Sequence, residues 1–328
     1  MKEEDIRPAQ LMNENQELLA EDIKKLMMNK DDFVYIPCPA CESRNYKVMF
    51  EKGGFTFVSC LECETYFINP RPTFSMLSEF YETSKCITHW KKIFSNTENS
   101  RRNQIFVPRA KMIIELCKKY NAPTNVLLDI GAGLGTFCEE IKKHGVFEKV
   151  IAVEPSHDLA DACSQKGLDV IEKPIEKIHL EEVSLVTSFE LIEHLFWPKD
   201  YVLACVRALS KGGLFILTTP NIKGFDLLTL GKLSSNIAGP NHLNYFHPKS
   251  LSKLLQSCDL EIIEVLTPGK LDAELVRKKI LTKELDVTNQ PFLQHTLIEQ
   301  WDAVGNAFQN FLAENALSSH LWVVATKK

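Results

Sequence analysis

Cys38 and Cys41 in CPAC, and Cys60 and Cys63 in CLEC, form two C-x-x-C pairs with eighteen residues between them. That spacing falls in the window of four-thiolate zinc sites. Each C-x-x-C turn presents two sulfurs on one side, and zinc favours a tetrahedron of soft thiolates, so the four can close around one ion. No coordination position is then left for water, and the expected role is structural, with no metal at all or a redox dithiol as the lesser alternatives. The intervening ESRNYKVMFEKGGFTFVS reads as two strands joined at Gly53 and Gly54, the build of a zinc ribbon whose folding leans on its metal. Four of the other six cysteines, Cys117, Cys138, Cys163 and Cys205, sit in helix-like sequence and read as small buried apolar side chains.

A second stretch, VLLDIGAGLGTF from Val126 to Phe137, sets Asp129 before Gly131, Gly133 and Gly135. A phosphate-binding P-loop would continue with Lys-Ser/Thr, and no lysine follows here. A dinucleotide fingerprint would place glycine where Thr136 stands, although the run KVIAVE does supply an acid, Glu154, at a suitable distance. Glycines in such a turn allow positive φ and a close approach of backbone to ligand. Two more polar clusters follow: SLVTSFELIEHL, containing Phe189, Glu190 and His194, and GPNHLNYFHP, containing His242 and Tyr245.

The D-x-G-x-G-x-G run from Asp129 to Gly135, with Glu154 ending the next strand, resembles the class I methyltransferases that use S-adenosylmethionine. SLVTSFELIEHL looks like the fourth strand and following segment of the ubiquinone-type O-methyltransferases and their small-molecule relatives. KGGLFILTTPN looks like the fifth strand, and SSHLWVVATKK like the antiparallel last one. The resemblance covers about residues 105–328. With the ribbon and FINPRPT, the layout is similar to zinc-ribbon-bearing bacterial methyltransferases of glycan or secondary-metabolite pathways. It implies donor contacts from Asp129, Gly131, Gly133, Gly135, Glu154, Pro155, Phe189 and Glu190. The Glu154 carboxylate offers two acceptor oxygens for the two ribose hydroxyls. Methyl transfer from a sulfonium is an in-line displacement, so placement of the acceptor supplies much of the rate, and a base is needed only if the acceptor must lose a proton. His242, Tyr245 and His194 are the candidates for acceptor contact or proton removal; His247 is explained by a helix start at Pro248.

The elements that must position these residues follow from periodicity. Residues 1–31 read as a helical arm, 32–72 as the ribbon, and 73–124 as a helical connector or lid with Thr73 as an N-cap. From 125 to 328 strands and helices alternate, with a helical excursion at about 271–316, as in a parallel sheet covered on both faces. The expected fold class is therefore α/β: a doubly wound, Rossmann-like, seven-stranded methyltransferase sheet with a small N-terminal zinc ribbon and helical additions.

With 328 residues, 45% of them hydrophobic, and a net charge of −5, the chain can bury a sizeable core and carries no overall basic surface for nucleic acid. No apolar run is long enough to span a membrane and no leader pattern opens the sequence, so the expected location is cytoplasmic. The expected activity is methyl transfer from S-adenosylmethionine (EC 2.1.1.-) to a small molecule, such as a sugar or glycan precursor or a secondary metabolite. The rivals are a zinc-ribbon RNA methyltransferase and a non-catalytic donor-binding scaffold. Against RNA, the ribbon carries Arg44, Lys47, Lys52 and Arg71 but also Asp32, Glu42, Glu51, Glu62 and Glu64.

Overall fold

The computed structural model describes residues 3–328. Among the described residues there are eleven strands: β1 (Tyr46–Lys52), β2 (Phe55–Cys60), β3 (Tyr66–Ile68), β4 (Val126–Ile130), β5 (Lys149–Val153), β6 (Asp169–Ile171), β7 (Val183–Phe189), β8 (Leu209–Pro220), β9 (Asn244–Tyr245), β10 (Leu260–Leu266) and β11 (His320–Lys327). Seven form one sheet in the order β10-β11-β8-β7-β4-β5-β6. Only β11 runs against its neighbours, β10 and β8; β8, β7, β4, β5 and β6 pair in parallel. The chain winds outward from β4 to β6, then returns to place β7 on the other side of β4. In open α/β sheets such a reversal leaves a crevice beyond the carboxyl ends of the strands, and here the glycine turn follows β4 directly.

Successive strand residues point to opposite faces, and the core divides accordingly. Leu128, Ile130, Val186, Leu217 and Val323 pack on one side with the helices Pro198–Ala208 and Pro248–Gln256. Leu127, Ala152, Leu185, Ile216 and Val324 pack on the other with Val107–Lys119 and Thr136–Lys143. Each fully buried Leu, Ile or Val contributes about 1.5–3 kcal/mol. The helix Val107–Lys119 buries Ala110, Ile113, Leu116 and Cys117 against the sheet. It is thus a layer of the large domain, and the expected domain start at 125 falls after the first helix that belongs to it.

The ribbon strands form a second sheet, β1-β2-β3-β9, in which β9 comes from far downstream. Tyr66 pairs with Tyr245 and Phe67 with Asn244. Phe55, Phe57, Phe67 and Ile68 share one core with Leu243, Tyr245 and Phe246. So small a piece buries little apolar surface alone, and the expected separate module instead completes its sheet and core with the large domain. The β1–β2 turn lies at Gly53 (φ 59°) and Gly54 (φ 82°), the left-handed pair that a two-residue hairpin requires.

The arm helix Ala9–Met27 lies against the helix Lys85–Asn96. Its Asp22 accepts from Ser84 Oγ at 2.6 Å and from the Cys86 N–H at 3.0 Å. The Thr73 hydroxyl accepts from the Met76 N–H at 3.3 Å, capping the helix Phe74–Thr83. Between β10 and β11, the helices Asp272–Leu281, Pro291–Gln294 and Trp301–Glu314 enclose a small core of Val276, Leu297 and Leu312. Among the described residues no helix is long and apolar enough to cross a membrane.

Candidate active site and metal centre

The turn after β4 uses positive φ at Gly131 (77°), Gly133 (57°) and Gly135 (69°). At Gly135 an added Cβ would lie 2.6 Å from Leu168 Cδ1 and 2.8 Å from Cys163 Sγ, so packing excludes any side chain. At Gly133 an added Cβ would meet no protein atom within 4 Å. That glycine faces open space, as a backbone approached by a ligand does.

Glu154 follows β5 at the neighbouring strand end and is 6% exposed. Its Oε2 accepts from the Gly133 N–H at 2.9 Å and its Oε1 from the Ser156 N–H at 3.0 Å. Burial raises its proton affinity above the usual carboxylate range, and these two backbone bonds only partly offset that. Each oxygen keeps a second lone pair, so a fixed, bidentate acceptor sits beside the glycine backbone.

Asp129 takes a different place from the one expected of it. Its carboxylate lies under the turn, 2% exposed, where Thr187 Oγ1 donates to Oδ1 at 2.8 Å and the Cys138 thiol approaches Oδ2 at 3.5 Å. Burial pushes it up to about 6. It ties the end of β4 to β7 and shapes the turn from beneath, because its position on a central strand points it into the sheet rather than the crevice. Pro155 is exposed beyond Glu154. Phe189, at the end of β7, packs edge-on to Phe137 at 4.9 Å. Glu190 adopts a left-handed φ of 52°, and its carboxylate accepts from Thr218 Oγ1 at 2.6 Å and lies 3.4 Å from His320 Nδ1. It faces β8 and β11.

Arg109 was not singled out by its sequence. Its guanidinium is 4.1 Å from the centroid of Phe189 and 5.9 Å from that of Trp322. The residue is buried, and its Nε has no hydrogen-bond partner among the described residues. A buried guanidinium under aromatic cover, with an unpartnered Nε, is a ready receptor for a carboxylate. The signal was there: in RAKMIIELCKKY, Arg109 lies on the same helix face as Ile113 and Leu116, where apolar residues belong.

The other polar cluster gathers His194, His242 and Glu193. The two imidazoles meet edge to face with centroids 4.8 Å apart. His194 Nδ1 donates to the Asn241 carbonyl at 2.6 Å and His242 Nδ1 to the Asn236 carbonyl at 2.8 Å. That leaves Nε2 of each ring as a lone-pair donor. Burial lowers His194 and pushes His242 down to about 3, so both rings are neutral near pH 7. Glu193, 1% exposed, accepts from Thr219 Oγ1 at 2.9 Å through Oε2, while Oε1 is buried without a partner; burial pushes it well above the usual carboxylate range.

The Asn244 side chain fastens this corner by donating to the Leu195 carbonyl at 2.8 Å and the Ile192 carbonyl at 3.3 Å. Tyr245 supports this corner from behind, its ring edge to face with His242 at 6.0 Å. It is 1% exposed within β9, its hydroxyl donating to the His242 carbonyl at 3.2 Å and accepting from the Ala238 N–H at 3.1 Å. Pairing with β3 turns its ring into the ribbon core, so its expected acceptor role is replaced by a scaffolding one. The residue the run ELIEHL concealed was its second glutamate.

Cys38, Cys41, Cys60 and Cys63 converge so that all four Sγ atoms lie within 4.8 Å of one another. The closest pairs are Cys38–Cys63 and Cys41–Cys60, each 3.5 Å. Four sulfurs around a common centre match the donor set and size of a tetrahedral zinc site. The His247 Nε2 donates to the Cys63 carbonyl at 2.9 Å, and Arg71, fully buried, donates to the carbonyl of Ile68 at 3.1 Å and to Asn244 Oδ1 at 3.0 Å. The cluster is thereby tied to β9 and to the histidine corner.

A seven-stranded sheet with one antiparallel strand, and a glycine turn at its switch point, defines the class I S-adenosylmethionine methyltransferase fold. Residues 101–265 match the family model described as a methyltransferase domain, and the chain belongs to that family. Among curated relatives, it is 24% identical over 151 residues to the ubiquinone biosynthesis O-methyltransferase of Burkholderia orbicola, covering 42% of this chain and 65% of that one. The Hahella chejuensis protein of the same name is 25% identical over 194 residues, covering 55% and 79%. The chain thus spans just under two thirds of the Burkholderia protein's length. A solved S-adenosylmethionine-dependent methyltransferase from Clostridium acetobutylicum shares 13% identity at a TM-score of 0.48, covering 74% of this chain and 99% of that one.

Proposed function

We propose that the chain transfers a methyl group from S-adenosylmethionine to a small-molecule acceptor, such as a sugar or glycan precursor or a secondary metabolite. The observation that carries this reading is the pairing of Glu154 with the open backbone of Gly133 at the sheet's switch point. In it, Glu154 accepts the ribose hydroxyls, the Gly131–Gly135 backbone lies along the donor, and Phe189 borders it. Arg109 receives the donor's carboxylate. His194 and His242, both neutral, face the acceptor and orient it or take its proton, while the in-line geometry supplies most of the acceleration. The acceptor gains the methyl, the C–S bond breaks, and neutral S-adenosylhomocysteine leaves.

Zinc on the four cysteines is structural in this reading, filling a closed shell and fixing the ribbon against β9. A small acceptor is favoured over RNA by the ribbon's own charges. Glu42 pairs with Lys199 at 2.5 Å and Glu64 with Lys223, so these ribbon acids serve to dock it on the large domain. Fractionated cell extract supplied with methyl-labelled donor tests the reading: label should pass to one low-mass compound with stoichiometric S-adenosylhomocysteine. Purified, folded protein with no affinity for either nucleoside would refute it.

A further inference from the structure

We infer that Glu193, His194 and His242 form a second metal site, one that takes a divalent first-row transition ion and opens toward the acceptor. One ring nitrogen of each imidazole and a Glu193 carboxylate oxygen lie within 4.8 Å of one another, with Glu193 Oε1 3.9 Å from His194 Nε2. Ligand atoms bonded to one ion at about 2.1 Å stand about 3–4 Å apart, so closure needs side-chain adjustments of about 1 Å. Two imidazoles and one carboxylate on one face, with the opposite positions open, is the donor set that non-heme transition-metal centres use.

The surroundings are already those of a ligand set. Metal-bound histidines hold their other ring nitrogen on a carbonyl or carboxylate, which fixes tautomer and orientation. Here both Nδ1 atoms are spent on backbone carbonyls, Asn241 and Asn236, so Nε2 is the nitrogen each ring keeps free for an ion. The Glu193 oxygen facing them is buried and unpartnered, while its other oxygen is held by Thr219. A dication would satisfy that oxygen and balance its charge, whereas two neutral imidazoles cannot donate to it from Nε2 in this tautomer. His194 and His242 are both half-buried, so the cluster is not sealed from solvent.

Binding of the ion stands apart from the methyl-transfer reading; what it does there rests on that reading. An acceptor oxygen would fill an open position and be held next to the donor's methyl, so the preferred acceptors are those presenting a hydroxyl or carbonyl to the metal. The two centres differ in softness: four thiolates for the ribbon, nitrogen and oxygen for this one.

The test uses full-length protein whose ribbon is loaded with one equivalent of zinc, titrated with cobalt(II). The expected result is uptake of one further equivalent with the weak visible bands of a nitrogen–oxygen site, and at least a tenfold loss of affinity in both Glu193→Gln and His242→Ala. Glu193→Gln is nearly isosteric, so it should melt close to wild type, which keeps the comparison valid if His242→Ala fails to fold. No second equivalent, uptake unchanged in Glu193→Gln, or cobalt carrying intense thiolate charge-transfer absorption would overturn the assignment. Calorimetry with S-adenosylhomocysteine on the same samples reports separately on the donor site.

Discussion

At the scale of single residues, the proposed ribose anchor, Glu154, is the one whose loss should be felt most directly. A hydrogen bond to a charged group contributes about 1.5–3 kcal/mol, so Glu154→Ala should weaken binding of S-adenosylhomocysteine roughly 10- to 100-fold by calorimetry. Arg109→Met keeps much of the side chain's packing on Phe189 and removes the cation. Equal affinity in that variant would show that the donor's carboxylate is held elsewhere. Asp226 makes a prediction about pH. It is fully buried, both its oxygens lack hydrogen-bond partners among the described residues, and burial with the nearby Asp272 carboxylate pushes it up to about 7. A carboxyl raised above its unfolded value of about 3.9 stabilises the fold fully below that pH and loses this contribution as pH rises through 7, on the order of 4 kcal/mol. Asp226→Asn should therefore melt higher than wild type at pH 8, with the gap narrowing toward pH 4. A gap independent of pH would contradict this account.

At the scale of elements, the glycine turn separates packing from ligand approach. Gly135→Ala forces a Cβ against Leu168 and Cys163 in a left-handed backbone and should lower stability by about 1–3 kcal/mol in a denaturant titration. Gly133→Ala meets no protein atom, so it should cost about 1 kcal/mol of stability, yet abolish donor binding because its methyl enters the donor's space. If both variants bound the donor normally, the turn would not be the site. This turn was legible in the sequence, as were the two C-x-x-C knuckles, the Gly53–Gly54 hairpin and the Thr73 cap, because each is a local arrangement with its chemistry written in adjacent residues. What could not be read was non-local. The pairing of Tyr245 with Tyr66 joins segments far apart in the chain through a strand of two residues, too short for any period to show. Asp129 was correctly seen as part of the turn, but whether its carboxylate faces the crevice or the sheet depends on Thr187, which arrives with a later strand. Arg109 and Glu193 stood in plain view; their meaning lay in having no partner, and only assembly reveals that.

At the scale of the whole molecule, the ribbon and the histidine corner are mechanically one. The route runs from the Cys63 carbonyl through His247 and from β3 through β9, whose first residue, Asn244, is separated from His242 only by Leu243. Stripping the ribbon metal with a chelator should therefore lower the melting temperature and also raise the acceptor KM more than it weakens donor binding, since the glycine turn lies on β4 and Glu154 follows β5. Restoring zinc should reverse both. Donor and acceptor affinities that fell in parallel would mean that the entire sheet, rather than this corner, depends on the metal. Acid should work through the same corner. His242 is depressed to about 3, so the fold is favoured above the unfolded histidine value of about 6.5 and loses that contribution as pH falls toward 3; His242→Gln should blunt the acid limb of the melting curve.

Because β9 is lent across the boundary, the two parts cannot be inherited separately. A gene shortened to the larger half would encode a polypeptide with a bare strand edge and a hole where Arg71 and Phe67 had been, prone to pair with its own copies. Recombination should accordingly move the cysteine knuckles and the histidine loop together, as one cassette, although most of the chain lies between them.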